Sequence, residues 1–400
     1  MIPITRPLMG EAEADAARET VLSGWVSQGP QVAAFEREFA AAVGAPYAVA
    51  VANCTVSLHL ALLAVGVGPG DEVITVSHSF IATANSILYC GAEPVFVDID
   101  PITFNIDPQA VAAAITARTR AILVVHQVGM PCALGEVRRI ADAHGIPLVE
   151  DAACAIGAEV CLDDGNWQRI GRPHGRIACF SLHPRKIIST GEGGMITTAD
   201  PHLDQMLRHA RQHGMTVNDL VRHGSTKAIF EAYPTVGYNY RMTDIQAAIG
   251  RQQLRRLPEI VTARRALAAV YGELLVDRVP DVAPPVEPAW ARSNWQSYCV
   301  RLPEEVEQET VMQAMLDRGV STRRGIMCSH MEGAYLERPL RFALPHSEWA
   351  RNHTILLPLF PQMTQGDQET VVDALRQAID MAGVSVGRGS PVLAATGASA

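Results

Sequence analysis

Short runs rich in β-branched residues alternate with longer stretches of helix-like spacing along the first two-thirds of the chain. The runs fall at Ala48–Ala52, Glu72–Val76, Pro94–Asp98, Ala121–His126, Pro147–Asp151, Ile177–Leu182 and Gly194–Thr198. Between them, Thr55–Val65, Ala82–Gly91, Asp107–Ala117 and Gly135–His144 carry the apolar spacing of helices. Strands that alternate with helices build βαβ units, so the pattern predicts an α/β fold around a mainly parallel, seven-stranded sheet covered on both faces. Such sheets bind ligands beyond the carboxyl ends of their strands, which makes polar residues there the first candidates for chemistry.

The pattern changes near residue 245. Thr243-Asp244-Ile245-Gln246 has the form of a capping box, and Met242, Ile245, Ile249 and Leu257 keep one face of the following helix apolar. An arginine-rich helix continues to about Leu275, and four prolines in Pro280–Pro288 mark a loop. Gln296–Leu302 reads as a strand, and Glu307–Gly319 and Gln368–Ala382 as helices. The expected organisation is a large domain over residues 1–245, with an N-terminal arm, and a smaller α+β domain over 246–385. Residues 386–400, rich in Gly, Ala and Ser, are expected to form a disordered tail.

Composition narrows the function. With 400 residues, 48% hydrophobic and 19% charged, the chain is globular and too long for a single core. Its 42 acidic residues against 33 basic ones give a net charge of −9, which argues against nucleic acid as a partner. No apolar run reaches the ~20 residues of a membrane span. Met1–Thr20 is too polar and acidic for a signal sequence, so a cytoplasmic protein away from membranes is expected. Eight cysteines without a CxxC pair suit a reducing compartment and suggest neither a zinc site nor a disulfide framework. His126 and His183 lack ligand spacing, so no metal is expected.

Lysine is scarce. Of the 33 basic residues only Lys186 and Lys227 are lysines, leaving 31 arginines. A lysine retained against that bias marks a place where only a primary amine serves, as in Schiff-base formation, unless it simply survived by chance.

Three segments at expected strand ends carry complementary chemistry. Asn53-Cys54-Thr55-Val56-Ser57 opens a helix, where free N–H groups and hydroxyls suit a phosphate, although Ser and Thr also cap helices for purely local reasons. Val149-Glu150-Asp151 ends a strand in a carboxylate able to hold a ring nitrogen protonated, or in an ordinary turn aspartate. Phe180–Gly194 leaves a strand at Ser181, passes Lys186 and turns back through Gly191, Gly193 and Gly194. Phosphate cup, aspartate and lysine together are what pyridoxal 5'-phosphate requires.

These residues sit in motifs that resemble the DegT/DnrJ/EryC1/StrS family of sugar aminotransferases, in the aspartate aminotransferase superfamily of fold type I. The landmarks run from Pro7 to Met381. They are Gly24-Trp25-Val26-Ser27-Gln28-Gly29-Pro30, the turn at Asn53, Gly70-Asp71-Glu72-Val73-Ile74, and Val149-Glu150-Asp151-Ala152-Ala153. The Lys186 segment with Gly191-Glu192-Gly193-Gly194, and Gly237-Tyr238-Asn239-Tyr240-Arg241-Met242-Thr243-Asp244, complete the series.

The resemblance implies a pyridoxal-phosphate aminotransferase in which Lys186 is the Schiff-base lysine and Asp151 the partner of the pyridine nitrogen. It assigns phosphate contacts to Thr55, the Val56 amide and Ser181, and ring stacking to Phe80. Asn239 would reach the phosphate in a neighbouring subunit, which implies a homodimer with shared active sites. Cys154 stands where the family has Gln or His beside the cofactor, and Cys54 replaces the usual small residue of the phosphate turn. Arg324 and His330 fall in a stretch that approaches the substrate and would meet a nucleotide diphosphate, unless the arginine is only a solvated loop residue. The expected reaction moves an amino group from L-glutamate to a keto sugar, nucleotide-linked. A keto-inositol acceptor and a regulatory homologue without catalysis are the alternatives, and Lys186 argues against a sugar 3-dehydratase.

Overall fold

Seven strands form the central sheet, each at a position where the sequence pattern calls for one. The structure, a computed structural model, describes residues 1–162, 165–217, 222 and 225–382, so the tail expected at 386–400 lies outside the described residues. In chain order the first strands are β1 (Tyr47–Val51), β2 (Glu72–Val76), β3 (Glu93–Val97), β4 (Thr119–Val125) and β5 (Leu148–Asp151). A small excursion, β6 (Glu159–Cys161) and β7 (Trp167–Arg169), precedes β8 (Ile177–Ser181) and β9 (Gly194–Thr198). The sheet order is β1-β9-β8-β5-β4-β2-β3. Only β9 runs against its neighbours, pairing antiparallel with both β1 and β8.

Alternation along each strand sends side chains to two different cores. Val49, Leu123, Val149 and Ile177 pack with helices Cys54–Ala64 and Pro201–Ala210. Ala48, Ile122, Val124 and Phe180 face the opposite layer, where Phe35, Phe39, Val111 and Val137 come from helices Pro30–Val43, Pro108–Ala114 and Leu134–His144. A separate cluster lies around strands Tyr298–Arg301 and Thr354–Leu357 with helices Gln308–Asp317 and Gln365–Met381. The long helix Asp244–Arg278 serves both: Leu254, Leu257 and Ile260 join the sheet core, whereas Tyr271 and Leu275 join the C-terminal one. Its expected cap is present, with Thr243 and Gln246 in a reciprocal capping box.

The alternation does not anticipate helices Glu11–Leu22, Pro30–Val43 and Pro201–Ala210, nor the small sheet of β6, β7 and Ala291–Arg292. Helix Pro30–Val43 is fastened by charge as well as by Phe35 and Phe39. Its Glu36 is buried, accepts a hydrogen bond from the Ala50 amide of β1 at 2.9 Å, and pairs with Arg208 at 2.6 Å and with Arg211. Burial alone pushes the Glu36 carboxyl up, but Arg211 and Arg208 outweigh it and hold it below the usual range.

Removing that carboxylate strands two arginines against β1. Glu36→Ala should destabilise the fold by roughly 3–5 kcal/mol, the usual cost of breaking a buried pair from one side. Because the folded pKa lies below the unfolded one, the stabilisation is full above the ordinary carboxylate range and disappears as pH falls through the folded value. Urea unfolding across that range should therefore show a wild-type stability loss on acidification that Glu36→Ala lacks; parallel curves would refute it.

Candidate active site

Strand register brings the three chemical segments together at one edge of the sheet. Gly194 of β9 pairs with Val51 of β1 on one side and with Ser181 of β8 on the other, while Asp151 of β5 pairs with Cys179 of β8. A Cβ on Gly194 would lie 2.4 Å from the Asn53 carbonyl oxygen and 2.6 Å from Ser57 Oγ, so only glycine lets β9 pass the Asn53 turn. Asn53 caps helix Cys54–Ala64 by accepting from the Val56 amide at 3.1 Å. The Val56 N–H, expected as a phosphate donor, thus has a partner within the chain; Thr55 sits beside it, partly buried.

Asp151 is buried at the carboxyl end of β5. Its Oδ2 accepts from Thr83 Oγ1 at 2.8 Å and its Oδ1 from the Ala153 amide at 3.2 Å. Thr83 Oγ1 is in turn 2.8 Å from Ser79 Oγ. Burial raises the Asp151 pKa, opposed by the Thr83 and Ala153 hydrogen bonds and by the positive charge of Lys186. On the opposite face of the same strand, buried Glu150 is 3.1 Å from His126 Nε2 and accepts from the Gly175 amide at 3.0 Å. His126 Nδ1 accepts from the Cys132 amide, which leaves the proton on Nε2, facing Glu150.

The loop from Ser181 to Gly194 is closed at its base. Leu182 N donates to the Gly193 carbonyl at 2.9 Å and Thr190 N donates to the Leu182 carbonyl at 2.9 Å. Lys186 rides on this loop, partly buried, and its Nζ donates to Cys154 Sγ at 3.0 Å. Burial opposes the lysine charge, but Cys154, through charge and hydrogen bond, together with Cys54 and Asp151, raises its pKa above the ordinary value. The Cys54 thiol itself is pushed up by burial and by Asp151.

The remaining candidates lie around this centre. Phe80 is on the turn that leads to Thr83, with its ring 63% exposed. Asn239 is exposed on the segment that bridges Arg241 to Val51 of β1 and pairs with Gln212. His330 Nδ1 is 2.7 Å from Ser77 Oγ and its Nε2 is 3.3 Å from Glu348, which ties the C-terminal region to the turn that supports Asp151. Arg324 is exposed and bonds Glu332 at 3.2 Å, away from the hydrogen bonds of that centre. Among the described residues no His, Cys, Asp and Glu side chains gather as a metal site would require, and no helix is long and apolar enough to cross a membrane. Sequence reading missed Thr83, Ser79, Asn294 and Gln296, for which no local motif gives a signal.

The profile of the DegT/DnrJ/EryC1/StrS aminotransferase family matches residues 7–376. Among solved structures, the aminotransferase TlmJ from Streptoalloteichus hindustanus is 36% identical over 95% of this chain and 99% of its own, with a TM-score of 0.86. DesV of S. venezuelae, solved with a ketimine intermediate, is 34% identical over 92% of this chain and 94% of its own, at a TM-score of 0.82. Spr1654 from Streptococcus pneumoniae, in its PLP-form, is 25% identical over 96% of this chain and 100% of its own, at 0.86.

The contact between Lys186 and Cys154 gives a measurable consequence. Cys154→Ala should lower the Lys186 pKa, since the sulfur contributes most to raising it. The chain has only two lysines, so ¹³C NMR titration of the reductively methylated, cofactor-free protein resolves Lys186 from Lys227. An unchanged Lys186 midpoint would show that the sulfur does not govern the amine.

Proposed function

The chain belongs to the DegT/DnrJ/EryC1/StrS aminotransferase family and is a pyridoxal-phosphate-dependent aminotransferase; from that premise we propose that it transfers an amino group from L-glutamate to a nucleotide-linked keto sugar. One observation carries the proposal: a partly buried lysine amine on the loop that follows β8 lies within electrostatic reach of a buried carboxylate at the end of the neighbouring β5, beside a capped helix N-terminus. The sugar acceptor is supported by the likeness to Spr1654, which is described as a sugar aminotransferase.

The donor set fits the cofactor. A primary amine, a buried acid, hydroxyls at two strand ends and an uncovered aromatic ring are each of the type that pyridoxal phosphate uses. Thr55, the Val56 amide and Ser181 would hold its phosphate, with Val56 giving up its bond to Asn53. Phe80 would cover its ring, and Cys154 would lie beside Lys186 where other members have Gln or His. When bound, the cofactor supplies the electron sink for amino-group exchange.

The chain's own residues supply the rest. Asp151, whose charged form Thr83 and the Ala153 amide favour against burial, would hold a ring nitrogen protonated. Lys186 would anchor the cofactor covalently and, once released, carry a proton at Nζ to and from the reacting carbon. Residues 1–245 would bind the cofactor and residues 246–385 would bring Arg324 and His330 to the substrate's diphosphate. Exposed Asn239 would serve a partner's site in a homodimer, and the eight free cysteines go with a cytoplasmic location.

Lys186→Arg should abolish both the visible absorbance of lysine-bound cofactor and turnover with keto sugars or keto-inositols, because guanidinium cannot form the covalent link. Full activity in that variant would overturn the assignment. Sharing of sites is tested by mixing. Asn239→Asp and Lys186→Ala chains should each be nearly inactive alone. Their heterodimer holds one site with both residues native, so activity should partly return on subunit exchange. Heterodimers that form yet stay inactive would assign Asn239 to its own chain.

A further inference from the structure

Residues Ser293–Ser297 cross three loops at the edge of the site. Asn294 is fully buried, and its Nδ2 donates to the Cys154 carbonyl at 2.7 Å and to the Ile156 carbonyl at 2.8 Å. Two residues on, Gln296 Nε2 donates at 2.6 Å to the carbonyl of Arg185, which immediately precedes Lys186. The Asn294 side chain also fixes the backbone from which Gln296 projects, since its Oδ1 accepts from the Gln296 backbone N–H at 3.0 Å. One short segment therefore holds the backbone of both members of the Lys186–Cys154 contact.

The segment is built rigidly. Trp295 has φ +51° and Val128, facing it, has φ +49°, a left-handed conformation that side chains rarely adopt. Between them, Ser297 N donates to the Val128 carbonyl at 3.3 Å and Ser293 Oγ to the Gly129 carbonyl at 3.0 Å. A Cβ on Gly129 would lie 1.9 Å from Asn294 Oδ1, so glycine at φ +91° is what lets the two strands of chain meet. Buried Arg264, from the long helix, donates to the Trp295 and Gln296 carbonyls at 3.0 and 3.1 Å from behind. Strained backbone persists only where its surroundings over-determine it, and such strain collects at functional sites.

We propose that Asn294 and Gln296 are positioning residues that hold the Lys186 amine against the Cys154 sulfur. Its catalytic consequence takes the proposed function as premise; the contact itself does not. The loops carrying Cys154 and Lys186 are not paired as strands at these two residues, so their separation depends on the side chains that bridge them. A hydrogen bond to sulfur is lost beyond about 4 Å, so a drift of roughly 1 Å of either loop from the 3.0 Å seen here removes the contact.

The test uses the cofactor-free chain first. Gln296→Leu keeps the side-chain volume and removes the donor to Arg185; Asn294→Ala removes both bonds to the Cys154 loop. In either variant the Lys186 midpoint, followed by NMR of the methylated protein, should move in the direction that Cys154→Ala moves it. Iodoacetamide labelling of Cys154 should accelerate about threefold or more, within the coupling range of residues in contact. Combined with Cys154→Ala, Gln296→Leu should produce no further change in the lysine midpoint. A folded Gln296→Leu protein with wild-type midpoint and labelling rate overturns the proposal, as does a full additional shift in the double variant. Should Asn294→Ala not fold, Gln296→Leu decides. In the cofactor-loaded enzyme Gln296→Leu should lower kcat more than it changes KM for the donor. Failure of the wild-type chain to take up pyridoxal phosphate would defeat the proposed function and leave the cofactor-free measurements standing.

Discussion

A carboxyl group buried at the end of β5 is the constraint around which the site is arranged. Asp151 is almost without solvent, and an unpaired ion at that depth would take up a proton instead. Two hydrogen bonds and a nearby ammonium keep the charged form accessible, and each comes from a different part of the chain. Thr83 belongs to the helix Ala82–Tyr89 that follows β2, Ala153 to the loop after β5, and Lys186 to the loop between β8 and β9. The neighbouring strand residue, Glu150, meets the same problem on the opposite face and solves it with His126 and the Gly175 amide. Two adjacent acids, each fully provided with donors, fix β5 against both layers and leave Asp151 little freedom to turn.

That requirement reaches into the C-terminal half. The segment from Ser77 into the first turn of helix Ala82–Tyr89 supports Asp151 through Thr83 and meets His330 through Ser77. Arg264, on the helix shared by both cores, braces the Asn294–Gln296 segment. The site is thus held by two cores at once, and residues far from the reacting atoms decide how firmly the lysine loop sits. Reaction geometry tolerates little error, with about 1 Å of misplacement costing on the order of a hundredfold in rate, so a lysine carried on a loop needs bracing of this kind.

What the sequence revealed follows the same division. All seven sheet strands were legible because a strand covered by helices on both faces must be apolar throughout, and that is a local signal. Lys186, Asp151 and Ser181 stand out in the sequence because their chemistry falls at or just beyond expected strand ends, and lysine is otherwise nearly absent. Helix Glu11–Leu22 was not, because it buries only Glu13 and Thr20 and presents no apolar stripe. Thr83, Asn294 and Gln296 act across 68, 140 and 111 residues of chain, and nothing within a few residues of any of them marks the contact.

The thiol of Cys154 acquires its meaning from those long-range contacts. A thiol is a weak hydrogen-bond partner, and a sulfur on a freely moving loop would contribute little to the chemistry of a nearby amine. Here its backbone carbonyl is held by Asn294, its side chain accepts from Lys186, and the lysine's own loop is held by Gln296. A weak partner fixed in place can influence the lysine charge where a stronger but mobile one would be averaged away, because the energy of a polar contact depends on how often it is made. The thiol at position 154 is therefore best understood together with the segment that immobilises it, and not as a property of a single position.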